Sequence, residues 1–456
     1  MQLKPDGSAG IGAAVAAASC ALLGTTASQR ALTQEQSGWD VQASTLYYGE
    51  ADGRVQDVSA EGLASKAIDE DRKVGIHVTV DALTGASPNG AAPSNQAQTF
   101  TRPSGQASYT VPAGELPLDD TFEDTRVAAD VSWTQPLGRL TTFDVGGGAS
   151  YEYDYRHVGI NANIAREFNK RNTTLSAGLA FGADSVDPVG GVPTPFAALA
   201  AAGGEPDDED RAAALDDDEG GGDDDGEGGG GGASESKNVT DALLGVTQVI
   251  GPRTLLQLNY SFSDATGYLN DPYKLLSVVD PVTGELVSDA TGDSGLYLFE
   301  KRPDARTKQS LFGVIKQDLG GHVLEASYRY MTDDWGIDSQ TLDLHVHFAM
   351  GEGRYLQPHL RYYTQGAADF YRTVLFDGEP LPEFASADYR LAAFDGVTLG
   401  FKYGWPSKLG DWSLRAEVYQ QTGQASPGSD VGVLRDLNLD PNMKAVIAQF
   451  SLKFRP

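Results

Sequence analysis

From residue 39 to residue 454 the chain repeats one pattern about sixteen times: some ten residues of strict apolar/polar alternation, then a turn, with short and long turns following one another. A side-chain period of two puts one face of each segment in hydrocarbon and the other in water. That is the pattern of an all-β, closed antiparallel transmembrane β-barrel. The last segment shows it most cleanly, with Val446, Ala448, Phe450, Leu452 and Phe454 alternating with Gln449, Ser451 and Lys453. Residues 143–156 do the same, and Tyr151, Tyr153 and Tyr155 fall in succession on the apolar side, where an interfacial aromatic girdle is expected. A soluble sandwich also alternates, but it needs two sheets to bury its apolar faces.

Mean hydropathy is only -0.31. After residue 30 no apolar run reaches the roughly 18 residues of a spanning helix. The N-terminus differs: Lys4 precedes an Ala/Val/Leu/Ile/Gly stretch over residues 10–24, and Thr25, Thr26 and Ala27 follow as a small-residue cleavage site. The expected organisation is a signal peptide at 1–27, a short periplasmic segment at 28–38 and an outer-membrane β-barrel at 39–456. Cys20 is the single cysteine and lies within the leader, so cleavage after Ala27 leaves none. A lipoprotein reading, with Ala17, Ala18 and Ser19 before Cys20, lacks the usual leucine. The net charge of -30 argues against nucleic acid as a partner. Thirteen acids lie between residues 205 and 227 against the single base Arg211. This Asp/Gly run over 205–232 cannot bury a core and reads as a disordered surface loop. A weak Ca²⁺ or Mg²⁺ sink is the alternative, although the spacing of a calcium loop is not met.

Turn lengths set the topology, because such barrels have short periplasmic turns and longer extracellular loops. Short turns are expected at 68–72, 136–138, 169–172, 251–253, 319–321, 351–353 and 405–410. Long loops fall at 86–120, 184–237, 268–303, 370–387 and 423–440, with brief outer connections at 50–53, 156–157 and 332–336. Seven turns and eight loops join sixteen strands. The segment 54–67 is the weakest strand by pattern, and parity demands it. Sixteen strands enclose more space than wall side chains fill, so the lumen holds water or is plugged by loops. Residues 370–388 carry Val374, Leu375, Phe376, Leu381, Pro382 and Phe384, an apolar content that suits folding inward or packing on another loop.

Three of the six histidines cluster. His345 and His347 share the inward parity of the strand 341–348, and His359 lies inward on the next. A turn centred on residues 351–353 sets His345 opposite His359 and Asp343 opposite Arg361, with His347 diagonal. Directly opposed Cβ atoms are about 5 Å apart, close enough for imidazoles to share a transition metal. A polar lumen wall in which Asp343 and Arg361 satisfy each other is the competing reading. Asp81, Arg126, Asp130, Glu325 and Arg329 are also inward and read as a structural or selectivity network. His157, beside Asp154 and Arg156 at an outer strand end, is a weak basis for rim hydrolysis. No catalytic set is assigned, and the chain is not expected to be an enzyme.

Several segments are more particular than a generic wall: Gly267 to Lys274, Tyr328 to Ile337 with Trp335, Gln357 to Tyr371, Ala385 to Asp395 and Asp81 to Gly90. Together they resemble the signatures of a proteobacterial outer-membrane β-barrel family known only as a domain of unknown function. The resemblance covers the whole mature chain. It implies a barrel without an established activity, and the neighbouring flavin-transferase and thioredoxin-like genes of such proteins hint at a redox role. The expected function is therefore a pore, transporter or surface scaffold with loops partly occluding the lumen, in contact with outer-membrane lipid. The alternative is a metal-binding or redox-linked module using His345, His347 and His359, with a periplasmic or lipoprotein partner.

Overall fold

The computed structural model describes residues 38–51, 54–69, 72–85, 88–101, 108–118, 123–188, 191–199, 234–288, 295–424, 428–439 and 442–454. The leader with Cys20, residues 28–37 and the acidic run lie outside the described residues. The barrel strands are β1 (Trp39–Glu50), β2 (Gln56–Ala67), β3 (Lys73–Thr84), β4 (Glu123–Pro136) and β5 (Thr141–Tyr151). Next come β6 (Tyr155–Phe168), β7 (Thr173–Val186), β8 (Glu235–Gly251), β9 (Thr254–Gly267), β10 (Ala305–Asp318) and β11 (His322–Asp333). The last are β12 (Asp338–Gly351), β13 (Arg354–Gln365), β14 (Phe394–Pro406), β15 (Asp411–Gly423) and β16 (Met443–Phe454). Each pairs antiparallel with its chain neighbours, and β16 returns to β1, Ala448 opposite Tyr47, to close the ring. The segment that parity demanded is β2, paired with both neighbours along its length.

Alternation sets the two faces. Val131, Val158, Ile160, Leu179, Leu244 and Leu399 point out and are all more than half exposed. Apolar area bare to this extent around a whole ring, at roughly 25 cal/mol per Å², needs a non-aqueous neighbour. Exposed Tyr47, Tyr151, Tyr153, Tyr330 and Tyr362 ring the long-loop end. Near the other end Trp412 stacks on Phe450 with centroids 4.8 Å apart, and Phe168 and Phe348 are exposed. Two aromatic belts flanking an apolar band are the profile of a bilayer-spanning barrel.

One turn differs from expectation. The chain reverses at residues 152–154, where the Glu152 amide donates to the Tyr155 carbonyl oxygen, rather than at 156–157. A three-residue connection flips the side-chain parity. Tyr155 therefore faces the lumen, donating to Asp184 Oδ2 at 2.5 Å, and only Tyr151 and Tyr153 join the girdle. Simple alternation cannot register such a reversal, because the apolar/polar order runs through it unbroken.

The buried core is not in the barrel wall. It sits at the long-loop end, where Leu275–Val279 pairs antiparallel with Tyr297–Phe299 and parallel with Leu375–Phe376. Leu276, Val278, Leu298, Leu375, Ala385 and Ala387 form one cluster around it. Phe100, Val111 and Tyr297 form a second, and Val279, Val374 and Leu434 a third. Segments far apart in sequence thus make a folded cap over one mouth; of the apolar stretch 370–388, Val374, Leu375, Phe376 and Phe384 pack within it, whereas Leu381 is 55% exposed.

Candidate functional site

The cap is fastened by a cluster of charges that water does not reach. Asp388 is fully buried and accepts from Arg302 Nη2 at 2.8 Å and from Arg390 Nε at 2.8 and 2.9 Å. Arg390 also reaches Asp271 at 2.7 Å, and Arg302 Nε reaches Glu300 at 2.6 Å. Ser386 donates to Glu300, and Lys274 donates to the Pro88 carbonyl oxygen at 2.6 Å, joining the loop after β3 to the rest. Three acids, Asp271, Glu300 and Asp388, thus meet three bases, Lys274, Arg302 and Arg390. Such a cluster costs desolvation and repays it only when every member is paired, so it fixes one arrangement of the loops.

Cap residues rest on groups that face the lumen. Gln365, at the end of β13, donates to the carbonyl oxygens of Arg390 and Ala392 at 3.0 and 2.7 Å. Arg54 lies over the Tyr389 ring and pairs with inward-facing Glu50 at 3.1 Å. Trp335, in the turn between β11 and β12, is buried against Phe370 and stacks under Arg306, its indole N–H donating to the Ala305 carbonyl oxygen at 2.8 Å.

Burial is the main influence on Glu300; Arg302 opposes it, Asp271 and Asp388 add to it, and the carboxyl is pushed up to about 7 from an ordinary 4.5. Burial would also raise Asp388, but Arg390, Lys274 and Arg302 hold its carboxyl below the usual range. The signs differ. Glu300 contributes stability that is complete below 4.5 and lost as pH rises through about 7, whereas Asp388 contributes above its ordinary value and loses it only in stronger acid. Amide exchange in the cap, corrected for intrinsic rates, should therefore be slower at pH 5 than at pH 8. Glu300→Gln, which stays neutral at both, should abolish that difference.

The second feature lies in the barrel wall. In register, β12 and β13 set His345 opposite His359 and Asp343 opposite Arg361. The two imidazoles stack, centroids 4.2 Å apart and planes within 12°. The Asp343 carboxylate turns to both rings instead of to Arg361: Oδ1 is 2.8 Å from His345 Nε2 and Oδ2 is 3.3 Å from His359 Nε2. His359 Nδ1 is 2.9 Å from Glu417 Oε1, two strands away. Gly400 lies between them in register, and a Cβ there would collide with Glu417 Cγ. The missing side chain is what lets a β15 carboxylate cross β14. His347 is not part of this group and packs on the Tyr355 ring, centroids 4.5 Å apart. The donor atoms of Asp343, His345 and His359 all lie within 4.8 Å of one another.

Similar pairings occur elsewhere on the wall. His77 sits between Glu61 at 2.9 Å and Asp130 at 3.4 Å. Arg126 pairs with Asp81 at 2.5 Å and Lys316 with Glu325 at 2.9 Å, the structural network expected of these charges. His157 contacts Asp184 at 2.6 Å, not Asp154, and Asp184 also holds Lys237 at 2.9 Å, an ion-paired cluster rather than a nucleophile with its base. Asp124, Glu152 and Asp154 converge at the rim, with Tyr273 donating to Asp154 at 2.5 Å. Sequence reasoning missed Glu417, Gly400, His77 and Glu61, although it placed Asp130 on the inward wall. An inward glycine between two inward polar positions was the available signal.

A closed sixteen-stranded antiparallel ring with an apolar, aromatic-edged exterior and a polar interior defines an outer-membrane β-barrel. Residues 12–454 match the family described as "Protein of unknown function (DUF3570)", and the chain belongs to it. No curated protein matches its sequence. Among solved structures it is similar to the ferric enterobactin receptor PfeA of Pseudomonas aeruginosa, at 11% identity and a TM-score of 0.41, covering 86% of this chain and 55% of that one. CdiB from Acinetobacter baumannii gives 9% identity and a TM-score of 0.43, covering 92% and 61%. A bacterial polysaccharide outer membrane secretin gives 8% and 0.41, covering 93% and 100%. The chain thus spans little more than half the length of the receptor.

Proposed function

We propose that this protein is a non-catalytic outer-membrane barrel that acts as a gated passage, with its long loops outside the cell and its extracellular mouth closed at rest by the cap. One observation carries the reading: among the described residues the best-buried apolar side chains belong to loops seated on the lumen-facing Glu50 and Gln365. A freely open porin has no use for a folded core across its entrance. The belts of tyrosine and tryptophan support lipid as the surrounding partner, and the wall of paired charges supports a water-filled lumen below the cap. Purified protein in planar bilayers should show little steady conductance at low voltage. Asp388→Ala, which unfastens the cap, should give long-lived openings several-fold larger. Large steady conductance from the unaltered protein would refute the gate.

A further inference from the structure

We propose that Asp343, His345 and His359 form a lumenal binding site for one first-row divalent transition-metal ion, and that Glu417 is a positioning residue for it. The site is independent of the cap and stands whether or not the mouth is closed. Three observations converge on it.

The first is donor geometry. A metal at about 2.1 Å from nitrogen and oxygen ligands sets neighbouring donors about 3.0–3.4 Å apart. Asp343 bridges the two rings, Oδ1 2.8 Å from His345 Nε2 and Oδ2 3.3 Å from His359 Nε2, and one donor atom from each of the three residues lies within 4.8 Å of the others, so side-chain rotation alone brings them to that spacing. The imidazoles are stacked nearly parallel with both Nε2 atoms at one carboxylate, so an ion in the plane of both rings is reached by turning the ring of His345, the one that Glu417 does not hold. An ion entering there replaces the hydrogen bonds between Asp343 and the two Nε2 atoms, and each ring binds as a neutral imidazole with its one remaining proton on Nδ1, any excess proton leaving to water.

The second is the outer support. A ligating histidine characteristically gives its other ring nitrogen to a carboxylate, which fixes the ring and raises its basicity. Glu417 does this for His359 at 2.9 Å, across a strand that glycine has cleared for it. Glu417 is itself almost fully buried, with Arg415 Nε 3.9 Å from it.

The third is the donor set. Two imidazoles and one carboxylate on a wall leave the remaining coordination positions open to the lumen. Such a set suits Fe²⁺, Zn²⁺ or Cu²⁺ rather than the all-oxygen preference of Ca²⁺. The Asp/Gly run at 205–232 offers oxygen alone, so its binding has a different spectroscopic signature.

The test is Cu²⁺ titration of the full-length protein in detergent, followed by electron paramagnetic resonance, with heat-modifiable gel mobility verifying that each variant is folded. Wild-type protein should bind one ion with coupling to two nitrogens. His345→Ala and His359→Ala should each lose one nitrogen and at least tenfold in affinity, while His347→Ala should change neither. Glu417→Gln should keep the two-nitrogen signature while weakening affinity about 10- to 100-fold. Absence of nitrogen-coupled binding in folded wild-type protein, or a signature that survives in His345→Ala and His359→Ala, would overturn the site. Loss of a nitrogen in His347→Ala would overturn this choice of ligands.

Discussion

In Asp388→Ala protein the cap is expected to open while the barrel stays closed. Asp388 is fully buried between Arg302 and Arg390, and removing it takes one carboxylate partner from each of two guanidinium groups held out of water. Breaking a buried ion pair from one side costs about 3–5 kcal/mol. At roughly 1.4 kcal/mol per decade, amides in Leu275–Val279 and Leu375–Phe376 should exchange some hundredfold to a few thousandfold faster. Arg302 retains Glu300 and Arg390 retains Asp271, so the loops should loosen rather than collapse onto a new partner. Strand amides in β6 and β7 report on the barrel and should be unaffected. Equal acceleration in cap and wall would mean that the two are one cooperative unit.

The second large effect concerns the outer face. Leu179 lies at the middle of β7, is 53% exposed and points away from the lumen, whereas Ala180 beside it points inward. An arginine at the bilayer midplane on the lipid face of a barrel costs about 2–4 kcal/mol, and one on the lumen face costs little. Leu179→Arg should therefore lower the unfolding free energy, measured by urea titration of the barrel folded in lipid vesicles, by that amount, and Ala180→Arg should leave it nearly unchanged. If both variants unfold together, the exposed band is not the surface that meets lipid.

The barrel was legible because its determinant is local. Parity within ten residues and the lengths of turns are both one-dimensional, and they led to sixteen strands, including a second strand with a weak pattern. The same parity predicted that His345 faces His359, since one tight hairpin fixes that register. Two things were not legible. The cap forms from loops hundreds of residues apart, and nothing in residues 268–304 says that they will pack on residues 366–393. The apolar content of 370–388 indicated only that it would not stay in free solvent. At the histidines, hairpin arithmetic reaches one neighbouring strand, while Glu417 approaches from two strands away over Gly400. His347 looked equivalent to His345 because alternation assigns a face; the Asp343 carboxylate beside His345, and the Tyr355 ring beside His347, decide what each does.

The composition of the cap also sets the order in which the molecule can assemble. Its parts hang from strands on both flanks of the junction between the first and last strands: Arg54, over the Tyr389 ring, follows β1, and Leu434 precedes β16. Across that junction the Ala51 amide donates to the Lys444 carbonyl oxygen at 2.8 Å, and Arg54 reaches the Asn442 carbonyl oxygen at 3.2 Å. Until the ring closes, these pieces hang at opposite edges of an open sheet, and loop-closure entropy keeps them apart. Ring closure is therefore the step that brings the lid together, and a chain stalled during insertion would carry its most apolar loops unpaired. Protease resistance of residues 366–393 can accordingly serve as a clock for the final event of biogenesis.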